Sequence, residues 1–82
     1  MSLASFRDEP RPVSGPLAIA ATLKNRIVSG IYGYGEKMPT ERQMAATFGT
    51  SRATLREALR VLEQGGLILR RVGSGTYVIY QP

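Results

Sequence analysis

The sequence has no cysteine and no histidine among its 82 residues. A disulfide framework is thereby excluded, and zinc is denied its usual thiolate and imidazole ligands. The lack of cysteine suits a reducing compartment. Long apolar runs are missing too. No stretch approaches the ~20 residues that span a bilayer, and the N-terminus lacks the continuous apolar core of a signal peptide. The expectation is a soluble domain in a cytoplasmic setting, with no membrane partner. Acidic residues are scarce, six against eleven lysines and arginines, for a net charge of +5. That balance favours an anionic partner, most often nucleic acid. Between Thr40 and Pro82 every basic residue is an arginine: Arg42, Arg52, Arg56, Arg60, Arg70 and Arg71. Arginine's planar fork suits phosphate and guanine edges, where lysine is a point charge.

What is present fits one small domain with a modest core, at 43% hydrophobic residues. Its centre is TERQMAATFGTSRATLREALRVLEQGG, from Thr40 to Gly66. Thr40 caps a first helix, and Gln43 completes a capping-box pattern. Met44, Ala45 and Phe48 form a short apolar stripe at helical spacing. Gly49 supplies a left-handed stop, and Ser51 caps the next helix. That helix buries Leu55, Ala58, Leu59 and Leu62 before Gly65-Gly66 end it. Two helices and a tight turn fit a helix–turn–helix. They fit an ordinary helical hairpin equally well.

Residues 1–15, with Pro10, Pro12 and mixed charges, read as a flexible leader. A helix is predicted over Pro16–Ser29, capped by Ser14 or Gly15 and stopped by Gly30. Leu17, Ala20, Leu23 and Ile27 turn inward there, while Lys24 and Arg26 face away. Ile31 to Pro39 is a turn whose Tyr32 and Tyr34 pack against the core, with a very short strand over Glu36–Met38. Downstream, Leu67–Val72 and Thr76–Tyr80 are strands by composition, joined through Gly73-Ser74-Gly75. Arg70 and Arg71 alternate along the first strand, so only one of them faces a partner strongly. The predicted fold is mainly α with a small β-hairpin. It is a winged helix–turn–helix over residues 16–80, with three helices, a two-stranded wing and a short third strand. The wing tips the balance from a bare bundle towards DNA binding.

From Leu17 to Val78 the sequence resembles the N-terminal DNA-binding domain of the GntR family of bacterial transcription regulators. The ordered segments PTERQ, SRATLREALRVLEQGGLI and GSGTYV carry the likeness. The resemblance implies a double-stranded DNA operator with dyad symmetry, bound by a homodimer of the full-length protein, with repression the commoner role. It places the second central helix in the major groove and the wing at the minor groove. Arg42 then falls on a phosphate-contacting position. Ser51, Arg52, Ala53, Thr54 and Arg56 fall on base- and phosphate-contacting positions, and Gly73 on the wing glycine. Arg71 is the wing arginine assigned to DNA. Val72 is apolar where some relatives carry a polar DNA-contacting residue, and Ala53 offers only apolar contact, such as with a thymine methyl. Family members continue into a C-terminal domain that dimerises and binds a small-molecule effector. An effector-binding domain is absent from this chain, and the wording of PTERQ and REALRVLE is similar to the subfamily whose effector domain is all-helical.

Helical geometry supports the same residues independently. Arg52 and Arg56 are four apart, roughly 40° around the axis, near an N-terminus whose free N–H groups attract phosphate. Arg60 is expected to pair with Glu57 or Glu63. The competing function is a winged helix used for protein–protein contact, which would show apolar residues instead of arginines on this helix. No cofactor is expected. Nor is catalysis: the chain offers no convincing acid–base pair, and GSG is too short for a nucleotide-binding glycine loop.

Overall fold

The computed structural model describes residues 15–81. The leader expected over residues 1–15 lies outside these but for Gly15. In chain order the elements are α1 (Pro16–Val28), α2 (Glu41–Phe48), α3 (Arg52–Gln64), β1 (Ile68–Arg71) and β2 (Gly75–Val78). Three helices and one antiparallel hairpin reproduce the expected architecture.

Helix α1 starts at Pro16, whose fixed φ suits the first helical position. Gly15 is its N-cap, without a side-chain cap bond, and Ser29 ends it. Its inward face carries Ile19, Ala20, Leu23 and Ile27. Leu17, expected on that face, is 73% exposed. The helix turns about 100° per residue, so Leu17 falls roughly a quarter-turn off the line through Leu23 and Ile27. Ile19 takes its place. Arg26 does not simply face solvent: its guanidinium carbon lies 5.5 Å from the centre of the Phe48 ring. Charge over that ring ties the end of α1 to the end of α2.

Helix α2 is short, and its ends are chemically marked. The Gln43 N–H donates to Thr40 Oγ1 at 3.0 Å, and the Thr40 N–H donates back to Gln43 Oε1 at 2.9 Å. This reciprocal pair satisfies two amides that the first turn leaves without partners. Thr40→Ala is therefore expected to cost about 1 kcal/mol, lowering the melting temperature by roughly 4–8 °C. A thermal scan by circular dichroism checks this, and an unchanged midpoint would refute it. At the other end Gly49 adopts φ 62° and ψ 38°. The Thr50 N–H then reaches back to the Ala45 carbonyl at 3.0 Å, as in a Schellman stop. Only Gly49 to Ser51 separate α2 from α3. That tight link makes the pair a helix–turn–helix.

Leu55, Ala58, Leu59 and Leu62 bury one face of α3 against α1 and α2. Leu67, Ile68 and Val78 carry the same core into the hairpin. The strands pair Ile68 with Val78 and Arg71 with Gly75, so β1 lacks Leu67 and Val72 of its expected range, while β2 starts one residue early, at Gly75, and stops at Val78 short of Ile79 and Tyr80. Ahead of α2, the extended segment leans on β2. The Met38 N–H donates to the Thr76 carbonyl and the Val78 N–H to the Glu36 carbonyl. The expected third strand is thus realised only as a single bridge, between Lys37 and Tyr77. Tyr32 packs against the core. Tyr34, expected to do likewise, stands 62% exposed.

Candidate nucleic-acid interface

Three carboxylates sort the six arginines after Thr40 into two groups. Arg56 donates from Nε to Glu41 Oε1 at 3.1 Å, bridging α3 to the first residue of α2. Arg60 donates to both oxygens of Glu57, at 3.0 and 3.2 Å. Arg70 donates from Nε and from Nη2 to Glu63 Oε1, both at 3.0 Å. Arg60 thus takes Glu57 of its two expected partners, because Glu63 is already held by β1. Arg42, Arg52 and Arg71 are exposed and have no ion pair among the described residues.

The three unpaired arginines stand on three elements. Arg42 is the second residue of α2, Arg52 opens α3, and Arg71 ends β1 beside the wing tip. Helical rotation puts Arg52, Arg56 and Glu63 along one edge of α3, while Ala53, Glu57, Arg60 and Gln64 point outward. Beside that edge runs a cleft between α2 and the wing, whose walls include Lys37, Glu41, Glu63, Arg70, Arg71 and Gly73. Lys37, Arg70 and Arg71 face Glu41 and Glu63 across it, and Arg70 is paired with Glu63, so Lys37 and Arg71 are the cations it offers to an anion. No described helix is long and apolar enough to cross a membrane.

Ser51 and Thr54 act together. Ser51 Oγ accepts the Thr54 N–H at 3.1 Å, so Ser51 caps α3 as expected. The same hydroxyl donates to Thr54 Oγ1 at 3.0 Å. Its proton is spent, which leaves the Thr54 hydroxyl proton free for an outside acceptor. Ala53 is exposed beside them and presents only a methyl group.

Arg71, Val72, Gly73 and Ser74 form the wing turn, closed by the Ser74 N–H on the Arg71 carbonyl at 3.0 Å. Gly73 holds φ 77° there, a conformation that favours glycine. Val72 is fully exposed at the tip. Arg70 and Arg71 do alternate, Arg70 towards α3 and Arg71 outward. Of the expected site residues, Ser51, Arg52, Ala53 and Thr54 lie at the turn of the helix–turn–helix and the start of α3, while Arg42 lies at the opposite, N-terminal end of α2. Arg71 and Gly73 stand apart on the wing, and Arg56 links α3 to α2.

Lys37 was not foreseen beside Lys24, Arg26 and the arginines after Thr40. The extended segment carries it alongside β2, and its stem crosses the wing so closely that a Cβ at Gly75 would lie 2.6 Å from its Cε. Its place two residues after Gly35 and two before Pro39, in a stretch bound to run extended, was the available clue. Glu41 and Glu63 were also missed as partners of Arg56 and Arg70. Both bonds join elements that local spacing does not relate.

Three helices with a helix–turn–helix and a two-stranded wing define a winged helix–turn–helix, the architecture of a DNA-binding domain. Over residues 17–78 the chain matches the family of bacterial regulatory proteins known as the gntR family. It is 45% identical over 64 residues to the Uxu operon regulator of Haemophilus influenzae, covering 78% of this chain and 24% of that protein. It is 44% identical over 71 residues to the Exu regulon transcriptional regulator of Escherichia coli K12, covering 87% of this chain and 27% of that one. The crystal structure of the AraR DBD in complex with operator ORE1 superimposes with a TM-score of 0.75 and 32% identity, covering 77% of each chain. The chain belongs to the gntR family of bacterial transcription regulators. It spans about a quarter of the length of the two regulators just named.

Proposed function

We propose that this domain binds a double-stranded DNA operator in a sequence-specific manner, with α3 in the major groove and the wing against the minor groove. The observation that carries the reading is that Arg42, Arg52 and Arg71, on α2, at the start of α3 and on the wing, are exposed and without an ion pair among the described residues. Arg52 forks onto a base edge from the N-terminus of α3, and Arg56, braced by Glu41, contacts the adjacent base or phosphate. Arg42, the Thr54 hydroxyl and Lys37 meet phosphates, while the Ala53 methyl packs on a thymine. Arg71 and Gly73 approach the minor groove. The competing protein-contact reading needs a run of apolar residues on the outward face of α3, and that face carries Glu57, Arg60 and Gln64, with the Ala53 methyl as the small apolar group beside them. In the whole protein two copies read a dyad-symmetric site in the cytoplasm, dimerised by a further domain that takes a small-molecule effector, and binding represses transcription.

Selection from a random-sequence duplex pool at two salt concentrations tests this. Enrichment of a short motif is expected. Binding without enrichment would leave a backbone-only binder, and no binding at low salt would refute the reading. If Lys37, Arg42, Arg52 and Arg71 each displace counterions, log K should fall against log salt with a slope of about −3.6 per domain. Arg42→Ala is expected to weaken binding to all sequences alike and to flatten that slope by about 0.9. A salt titration with operator and scrambled duplexes checks it, and a loss confined to the operator would overturn the phosphate role.

A further inference from the structure

The base and the outer half of the wing are held differently. At the base, Ile68 and Val78 face each other and are both buried in the core. From Leu69 outward only Thr76 is buried, and a lone two-stranded hairpin is marginal in water. Two ties reach this outer half from the rest of the domain. One is the Lys37 segment, whose main chain bonds Thr76. The other is Glu63, in the last turn of α3. Its Oε1 takes two bonds from the Arg70 guanidinium, and its Oε2 lies 3.4 Å from the Arg70 backbone N–H. One carboxylate thus grips both the side chain and the main chain of β1. A link of that kind fixes the strand's direction as well as one rotamer.

We infer that Glu63 is a positioning residue for DNA binding, which sets the angle between α3 and the wing so that both engage one duplex together. The inference rests on the DNA-binding reading above. Its distinguishing feature is a sign. Glu63 is an acid beside a surface that binds a polyanion, and electrostatics alone says that removing it should tighten binding. Glu57 is the built-in control, since it lies on the same helix and holds Arg60 but touches no part of the wing.

The test measures operator affinity of the 82-residue chain by fluorescence anisotropy for Glu63→Ala, Glu63→Gln, Glu57→Ala, Arg71→Ala and Glu63→Ala/Arg71→Ala. Glu57→Ala should bind as tightly as wild type or more so. Glu63→Ala should bind about fivefold more weakly or worse, with Glu63→Gln intermediate. The loss should shrink towards nothing in the Arg71→Ala background, because a misdirected wing has no contact left to lose. A generic fold defect would not show that coupling. Amide relaxation should show larger fast motions over residues 69–77 in Glu63→Ala, a readout independent of DNA. Equal or tighter binding by Glu63→Ala, or a loss undiminished in the Arg71→Ala background, would overturn the inference. If wild type selects no sequence in the same series, the DNA-binding reading fails first and takes this one with it.

Discussion

Arg52→Ala is expected to lower affinity for the selected operator by roughly tenfold to a hundredfold, the ~1–3 kcal/mol of discrimination that a bidentate arginine–guanine contact supplies. Affinity for scrambled duplex should fall much less. The expectation follows from where the side chain starts and what it lacks. Arg52 is the first residue of α3, exposed and without a carboxylate partner among the described residues, so no intramolecular bond must break before it reaches a base. Arg56 is different. Glu41 already holds its Nε, which costs some freedom and gains direction. Arg52→Lys separates two explanations of any loss. Lysine keeps the charge without the fork, so the salt slope should return to the wild-type value while operator preference stays low. Recovery of both by lysine would show that Arg52 meets phosphate only. An equal loss on operator and scrambled duplex in Arg52→Ala would say the same.

Leu59→Ala is expected to leave the domain near or past its unfolding midpoint at 25 °C. Leu59 is fully buried on the inward face of α3, in the middle of the core that joins α1, α2 and the hairpin. Truncating such a leucine costs about 2–5 kcal/mol, from lost transfer energy and from the cavity left behind. A domain this small commonly holds only ~3–5 kcal/mol in total. The loss and the reserve are therefore comparable. Leu59→Met, nearly equal in volume, should cost less than about 1.5 kcal/mol and fold. Urea or thermal unfolding of the two variants checks the pair, and a shift of only a few degrees for alanine would refute it.

The elements that could be foreseen from the sequence are those set by neighbours along the chain. Thr40 with Gln43, Gly49, and Ser51 with Thr54 are contacts within three residues or single backbone conformations, and the capped ends of α2 and α3 follow from them. The alternation of Arg70 and Arg71 is equally local. Expectations failed where a second element decides. Leu17 lies within a plausible helical stripe, but the position of α3 determines which line of α1 is covered, and that line runs through Ile19. Tyr34 and the third strand depend on how closely the loop approaches β2. In the interface, helical spacing supported Arg52 and Arg56 and the family resemblance pointed to Arg42, yet neither gave the division between braced and unbraced arginines. That division depends on Glu41 and Glu63, each of which bonds an arginine of another element.

Segment 35–38 has one more consequence, for synthesis. It leaves the ribosome ahead of α2, yet its backbone partners come last: the Gly35 N–H bonds the Val78 carbonyl, and the Met38 N–H bonds the Thr76 carbonyl. Closing so long a loop costs entropy that is recovered only when the final strand arrives. Until then buried Met38 has no β2 to lie beside, and the helix–turn–helix lacks the support that fixes its entry. Nascent chains stalled before Gly75 should be cut readily by protease, and chains released beyond Gln81 should resist. The final strand therefore acts as the latch of the domain, and assembly of the DNA-reading helices waits for it.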